Sequence, residues 1–295
     1  MKITNKSKLP IAFVRMAESE YQPTPNRYSI TTLLKPTREI ILTRRHFDKL
    51  EADASDMIWS LFGQAVHHIL EKNANDKDSA EMRLEYTFPK GHELEGLTVS
   101  GIMDFYDKET KTVIDYKTCS IWKVRFNDFS DWEKQGDGYA WLLDRNGLEV
   151  AKSKFYAIMR DWSVGEARRK GDYPQSQVLE FEFVADSLKA DNWIQEKLLD
   201  IKYNENTPDN DLPLCSKEDR WAKPDKFAVM KKGRKSALRL LDSSQEARSW
   251  MDNNSGDYIE FRKGEDTKCI YYCSVCKFCD YWQKNYADME VKEDV

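Results

Sequence analysis

The pattern of hydrophobic and polar positions divides the first 120 residues into a helical part and a strand part. Residues 28–45 begin with Ser and Thr residues that can cap a helix, are interrupted by Pro36, and lead into a long helical pattern over residues 46–72. From about residue 82 the pattern changes to short β-branched and aromatic runs separated by charged turns. These features predict an N-terminal helical arm and a β-meander, whose strands lie at residues 83–88, 97–107 and 111–120.

Helices and strands alternate in the segment that follows. Residues 130–147 predict a helix despite two glycines, and residues 186–204 predict another. Between them, residues 153–162 and 177–184 have the β-branched and aromatic content of strands. A meander combined with these elements predicts an α/β fold with a central mixed sheet flanked by helices.

A polar, proline-containing segment near residue 205 is poor in apolar residues and predicts a linker. We therefore expect two domains, residues 1–205 and 206–295. In the second domain the runs FAVM and ALRLL flank the turn KKGRK, which predicts a β-hairpin. Its basic tip suits phosphate contact, although an ordinary solvated turn carries similar charges. The tip residues are Lys231, Lys232, Arg234 and Lys235.

The composition is that of a soluble globular protein, with 40% hydrophobic and 33% charged residues. No stretch is long enough to predict a membrane span, and the apolar run near the N-terminus is too short for a signal peptide. We therefore expect a cytoplasmic chain. Because the net charge is -5, any nucleic-acid binding must use local basic surface.

Candidate catalytic residues concentrate in the last hairpin of the meander. Asp104 ends one predicted strand, while Asp115 and Lys117 lie two residues apart on the next and therefore on one face. Two converging carboxylates can bind a divalent cation, which lowers the pKa of a bound water and neutralises charge on a scissile phosphate. Lys117 can stabilise the transition state. A solvated hairpin face in a highly charged protein can show the same pattern.

A histidine on the preceding helix adds to this pattern. In FGQAVHHILE, Gly63 precedes His67 by about one helical turn, beside an apolar stripe. His67 can therefore face inward. There it either joins the aspartates or makes a hydrogen bond at a contact between helix and sheet.

Four motifs in order give the chain a family resemblance: GQAVHHILE, GIMDFYD, VIDYKT and KQGDGYAWLL. They resemble the RecB-like PD-(D/E)xK nucleases, whose pattern is a G-x-x-x-H helix, an Asp that ends a strand, a D/E-x-K strand, and a helix with Gln and Tyr. The resemblance implies a restriction-endonuclease-like core. The pattern maps onto His67, Asp104, Asp115 with Lys117, and Gln135 with Tyr139.

The resemblance also implies roles. The implied ligands of one or two Mg²⁺ or Mn²⁺ ions are His67, Asp104, Asp115 and the carbonyl of Tyr116. Gln135 and Tyr139 would support the site or contact DNA, and Glu85 stands where relatives often carry a further acid. The implied protein is a metal-dependent deoxyribonuclease of phage or bacterial origin. It would be an exonuclease acting on DNA ends or single strands in recombination, repair or replication, alongside protein partners of those processes. The alternative is a nucleic-acid-binding assembly subunit that keeps the nuclease fold with little catalysis.

Four of the six cysteines crowd together near the C-terminus, which in a reducing compartment indicates a metal site. AddB-type and CRISPR-adaptation nucleases, which this chain resembles, carry an iron–sulfur cluster beside the nuclease core. The resemblance implies a [4Fe-4S] cluster, with zinc as the alternative. The implied ligands are Cys215, Cys269, Cys273 and Cys279, with Cys276 as a spare, although the four tail cysteines alone would suit either metal. Cys119 is expected to pack in the core.

Overall fold

The computed structural model describes residues 1–18, 22–73 and 79–289. The chain divides into two compact units, Met1–Thr207 and Pro208–Val295, at a point two residues from the predicted boundary. Among the described helices, none is long and apolar enough to cross a membrane.

The first unit contains helices on both sides of a mixed sheet. Its strands are β1 (Lys2–Thr4), β2 (Arg27–Ser29), β3 (Glu51–Asp53), β4 (Ser79–Thr87), β5 (Thr98–Asp107), β6 (Thr112–Cys119), β7 (Lys152–Met159) and β8 (Val178–Val184). Its α-helices are α1 (Ile11–Glu18), α2 (Ile30–Leu33), α3 (Thr37–His46), α4 (Ile58–Lys72), α5 (Ile121–Phe126), α6 (Ser130–Arg145), α7 (Val164–Arg169) and α8 (Ser187–Asn204).

The central sheet has the order β2-β5-β6-β7-β8, with β4 paired to the other edge of β5. Strands β4, β5 and β6 run antiparallel in sequence, which confirms the predicted meander. Strand β7 is parallel to β6, and β8 is antiparallel to β7. The mixed sheet with flanking helices confirms the predicted α/β class.

One edge of β5 is shared by two partners. Residues 98–100 pair with β2, and residues 105–107 pair with β6. Within the described part of the chain, residues 101–104 therefore have no strand partner on that edge. The sheet opens at this position, and Asp104 is the last residue of the opening.

The main core lies between the sheet and helices α2, α3, α6 and α8. Helix α6 carries the two glycines noted in the sequence, and both allow close packing. A Cβ atom at Gly136 would overlap Ser153 Oγ, and one at Gly138 would lie 2.8 Å from a methyl carbon of Ile30. The two glycines therefore allow the helix to pack closely against β7 and α2.

The prediction of one long helical pattern over residues 46–72 was wrong in its first half. After α3 the chain forms a 3-10 turn at Phe47–Lys49, strand β3, and a second 3-10 turn at Ala54–Met57 before α4 begins. Strand β3 forms because β1 pairs with it in parallel. Asp53 then caps the second turn by accepting a hydrogen bond from the Ser55 amide.

The start of the predicted 28–45 helical region was also wrong, since residues 27–29 form strand β2. Ser29 then caps α2 by accepting a hydrogen bond from the Thr32 amide. Of the N-terminal helices, α4 contacts β5 and β6, whereas α2 and α3 pack toward α6 and α8. Helix α2 also contacts β5, and α4 contacts both of the strands that carry the candidate catalytic residues.

The second unit contains a three-stranded antiparallel sheet. Its elements are β9 (Lys226–Met230), β10 (Arg239–Leu241), α9 (Ser244–Asp252), β11 (Tyr258–Arg262), α10 (Thr267–Tyr271) and α11 (Asp280–Tyr286). Strands β9 and β10 are the predicted hairpin, which is confirmed. The sequence did not indicate β11, which pairs with the other edge of β9.

Candidate active site

Asp104 and Asp115 lie just beyond the last paired residues of β5 and β6. The ladder ends at the pair Phe105–Ile114, so the next residues are free to separate. Asp104 Oδ2 accepts a hydrogen bond of 2.8 Å from the backbone N–H of Tyr116. The carboxylate thereby occupies the position where a strand partner would otherwise continue the sheet.

His67 faces Asp104 from α4. Its Nδ1 lies 2.7 Å from Asp104 Oδ1, and this hydrogen bond raises the pKa of the imidazole, while burial opposes the rise. His67 therefore faces Asp104 from α4, and its hydrogen bond joins this helix to the sheet at a candidate catalytic aspartate.

Asp115 is the most enclosed group of the site, with 2% of its surface exposed. Its Oδ2 lies 2.6 Å from Lys117 Nζ, and its Oδ1 accepts a hydrogen bond of 3.3 Å from Gln135 Nε2. Burial raises the pKa of Asp115, and the nearby Asp104 carboxylate raises it further, whereas Lys117 opposes the shift. Such a carboxylate gains strongly from a neighbouring cation.

Gln135 and Tyr139 form the wall behind Asp115. Both lie on α6 and are at most 5% exposed, and Gln135 Nε2 donates a second hydrogen bond of 2.8 Å to the Tyr139 hydroxyl. Burial raises the pKa of Tyr139, with Asp115 contributing, so the hydroxyl stays neutral. At this depth the two side chains contact the buried side of the site, through Asp115 and through each other.

An open cavity of about 830 Å³ lies over the histidine side of this cluster. It is lined by Trp59, His67, His68, Glu81, Asp104 and Thr118, among others. Glu81 stands opposite Asp104 in the register of β4 and β5, because Ala80 pairs with Phe105 and Met82 with Met103. Its backbone has a φ of 46°, which is unusual for a residue other than glycine.

Glu81 is the acidic residue that the sequence did not single out. Glu85, the predicted further acid, makes an ion pair of 3.0 Å with Arg27. Both glutamates lie on β4, but only Glu81 is among the residues that line the cavity with His67 and Asp104. The register of β4 against β5 determines which of the two glutamates lines the cavity. The amino-acid composition does not reveal that register.

The donor chemistry of the cluster fits a hard divalent cation. Within the described residues, no three His, Cys, Asp or Glu side chains are grouped closely enough to enclose an ion. Mg²⁺ is usually held by one or two carboxylates, with water and substrate phosphate completing its shell. Asp104 and Asp115 supply two such carboxylates, and they interact electrostatically.

Two other cysteines of the second unit, Cys215 and Cys279, lie near enough to Cys269 to interact with it electrostatically. The pKa of Cys269 is raised to about 12 by burial and by the nearby Asp266, Cys215 and Cys279. Burial also raises the pKa of Cys276, with Cys279 contributing. The structure therefore brings Cys215, which is distant in sequence, near Cys269 of the tail.

Asp266 helps to hold this arrangement. The carboxylate is 5% exposed, and its Oδ2 accepts hydrogen bonds from Arg220 Nε at 3.1 Å and from the hydroxyl of Tyr281 at 2.6 Å. Arg220 also donates to the carbonyl of Cys215. Arg220 and Asp266 thus connect the segment of Cys215 to α10, which carries Cys269, and to α11.

Two further groups of predicted residues belong to neither cluster. Cys119 is buried in a smaller core cluster, as expected. The basic tip of the β9–β10 hairpin is exposed, and the Lys232 amide donates a hydrogen bond of 2.7 Å to Asp257. Its exposed residues are Lys231, Lys232, Arg234 and Lys235.

Comparison with known proteins gives distant structural likenesses. No family model matches the chain, and no curated protein matches it. The crystal structure of SSO0001 is 15% identical over 64% of this chain and 83% of its own, with a TM-score of 0.46. A phage related exonuclease from Haemophilus somnus 129PT is 13% identical over 64% and 77%, with a TM-score of 0.29. An alkaline exonuclease from Laribacter hongkongensis is 10% identical over 60% and 91%, with a TM-score of 0.33.

Proposed function

We propose that this chain is a divalent-metal-dependent deoxyribonuclease of the RecB-like PD-(D/E)xK type. The observation that carries the proposal is the convergence of Asp104, Asp115 and Lys117 at the opening of the sheet. His67 and Gln135 contact the two aspartates from opposite helices. A solvated hairpin face, the alternative interpretation of the sequence, does not fit an Asp115 that is 2% exposed.

The residues of the site have distinct roles in this proposal. Asp104 and Asp115 would hold Mg²⁺ or Mn²⁺, which supplies a water of lowered pKa and neutralises charge on the phosphate. His67 and the Tyr116 backbone N–H orient the two oxygens of Asp104. Lys117 keeps a positive charge 2.6 Å from Asp115, where it can stabilise charge that develops on the phosphate.

The substrate and the second metal site extend the same proposal. We assign the substrate as DNA, cleaved from its ends or in single strands during recombination, repair or replication. The exposed basic tip of the β9–β10 hairpin is a candidate for additional phosphate contacts. The cysteines around Cys269 are candidates for a structural [4Fe-4S] cluster, or for zinc, that stabilises the second unit.

Digestion of end-labelled DNA tests the catalytic assignment. With single- and double-stranded substrates and either Mg²⁺ or Mn²⁺, we expect Asp115→Asn and Lys117→Ala each to lower the rate by about 10²-fold or more. Asp137→Asn is the matched control. Asp137 is also buried beside a lysine, with Lys189 Nζ at 3.4 Å, but it lies outside the cluster. Wild-type rates in both site variants would contradict the proposal.

A further inference from the structure

Helix α4 leaves large apolar side chains in solvent. No residue of this 15-residue helix is fully buried, and Trp59, Phe62 and Ile69 are 57%, 42% and 60% exposed. The rings of Trp59 and Phe62 make an edge-to-face contact, with their centroids 6.3 Å apart. Exposed aromatic groups of this size are costly in water, and clusters of them typically mark a binding surface.

Trp59 lines the cavity that also holds His67 and Asp104, and Phe62 contacts the Trp59 ring without lining that cavity. Trp59, Gly63 and His67 follow one another at intervals of four residues, and all three line this single open space together with Asp104. Eight residues of α-helix span about 12 Å, which is the length of roughly three stacked nucleotides. A strand bound with a phosphate at Asp104 can therefore reach Trp59 within a few nucleotides.

Arg160 adds a positive charge to the aromatic end. Its guanidinium carbon lies 4.1 Å from the centroid of the Trp59 ring. Its backbone N–H donates a hydrogen bond of 3.0 Å to the carbonyl of Cys119, at the end of the strand that carries Asp115 and Lys117. The backbone of Arg160 is therefore hydrogen-bonded to the end of the catalytic strand. An aromatic ring beside an arginine suits a base and its phosphate.

We propose that Trp59, supported by its contact with Phe62, forms a platform on which the unpaired bases of a single-stranded DNA stack as the strand enters the candidate active site. This inference rests on the proposed nuclease function and assigns its substrate class. Bases inside a duplex are stacked on each other and paired, so their flat faces are closed to a side chain. A single strand exposes those faces, and stacking on an aromatic ring is tolerant of sequence because every base has such a face.

Binding without cleavage tests the platform separately from the nuclease chemistry. Fluorescence anisotropy in EDTA would compare a labelled single-stranded oligonucleotide with a blunt duplex of the same sequence. We expect Trp59→Ala to weaken single-strand binding by roughly 5- to 150-fold, as for the loss of one stacking contact, and duplex binding by less than about 2-fold. Trp59→Phe should retain most of the affinity. Trp59→Leu gives a second variant that keeps an apolar side chain if the alanine variant does not fold.

A matched aromatic–arginine pair serves as the control. Trp122 is 52% exposed, its ring is stacked with Phe126, and Arg125 lies 5.0 Å from its centroid, but Trp122 is not among the residues that line the cavity. We expect Trp122→Ala to bind single strands like the wild type. An equal loss in Trp59→Ala and Trp122→Ala would overturn the proposal, because any exposed aromatic group would then have the same effect.

An oligonucleotide with abasic sites completes the test. Removing the bases should weaken binding to the wild type but not further weaken binding to Trp59→Ala, since both changes remove the same contact. Additive losses, or equal losses on single strand and duplex, would overturn the platform. If Asp115→Asn abolishes cleavage while Trp59→Ala binds single strands normally, the platform fails and the nuclease assignment stands. If the wild type neither binds nor cleaves DNA, both fail.

Discussion

Gln135 joins two buried groups of the candidate site, because its side-chain amide donates to both Asp115 and Tyr139. Residues that orient a metal ligand typically change metal affinity or activity by about 10–100-fold when they are removed. We therefore expect Gln135→Ala to lower the cleavage rate by about that factor and to raise the Mg²⁺ concentration needed for half-maximal activity. The shift in metal dependence is the decisive measurement, since a general loss of stability would not produce it.

Gln195 offers the matched control for that substitution. It donates a hydrogen bond of 2.8 Å to Asp191 on α8, outside the candidate site. Gln195→Ala should leave both the rate and the Mg²⁺ dependence unchanged. If Gln135→Ala has the same metal dependence as the wild type, Gln135 does not position Asp115.

Several individual residues of the site could be predicted because their signal is local. The spacing of Asp115 and Lys117 on one strand, and of Gly63 and His67 on one helix, is fixed by the periods of those elements. The resemblance implied only that Gln135 supports the site or contacts DNA, and its hydrogen bond to Asp115 was not predicted. Glu81 could not be found, because its approach to the cavity depends on the pairing of β4 with β5.

At the scale of elements, the close packing of α6 on β7 sets the wall that carries Gln135. A Cβ atom at Gly136 would also lie 2.8 Å from the Cβ of Ser153, which is 1% exposed and has no room to move. Overpacking of this kind costs about 1–3 kcal/mol. Alanine is favoured over glycine in a helix by about 1 kcal/mol, which offsets part of the cost.

We therefore expect Gly136→Ala to lower the free energy of unfolding by up to about 2 kcal/mol, as measured by urea denaturation. Gly63→Ala is the matched comparison, because a Cβ there would lie 3.5 Å from Thr118 Oγ1, an ordinary contact. In α4 the substitution should raise stability by up to about 1 kcal/mol. Equal stabilisation in both variants would show that α6 has space at Gly136.

The errors in the sequence interpretation also belong to this scale. Residues 46–57 share the apolar spacing of a helix, yet β3 forms there because β1, almost fifty positions earlier, pairs with it. Residues 27–29 form a strand for a similar reason, since β5 accepts them as a parallel partner. The local pattern of apolar residues cannot reveal strand pairing between segments that are distant in sequence. The hairpins of the meander and of β9–β10 could be predicted because short turns connect their strands.

At the scale of the whole molecule, the second unit brings together cysteines from two separate segments. Cys215 lies before its sheet and Cys269 lies after it, yet the two thiols and Cys279 are close enough to interact. The buried hydrogen bonds of Asp266 with Arg220 and Tyr281 stabilise this arrangement. Burial keeps the Cys269 thiol protonated at neutral pH, so a bound metal must displace that proton.

We expect purified protein to contain iron, with the visible absorbance of an iron–sulfur cluster, or otherwise zinc. Removing an outer partner of a metal site commonly costs about 10–100-fold in affinity, so loss of a ligand should cost at least as much. Cys215→Ser, Cys269→Ser and Cys279→Ser should therefore each lose the metal, while Cys119→Ser, buried in the other unit, should retain it. The same measurement on Cys273→Ser and Cys276→Ser identifies the fourth ligand, because only the variant that lacks this ligand should also lose the metal.

A structural metal contributes folding free energy, so chelation should make the chain after residue 208 more sensitive to protease. Retention of metal by both Cys215→Ser and Cys269→Ser would contradict this assignment, since the two segments would then not share one metal.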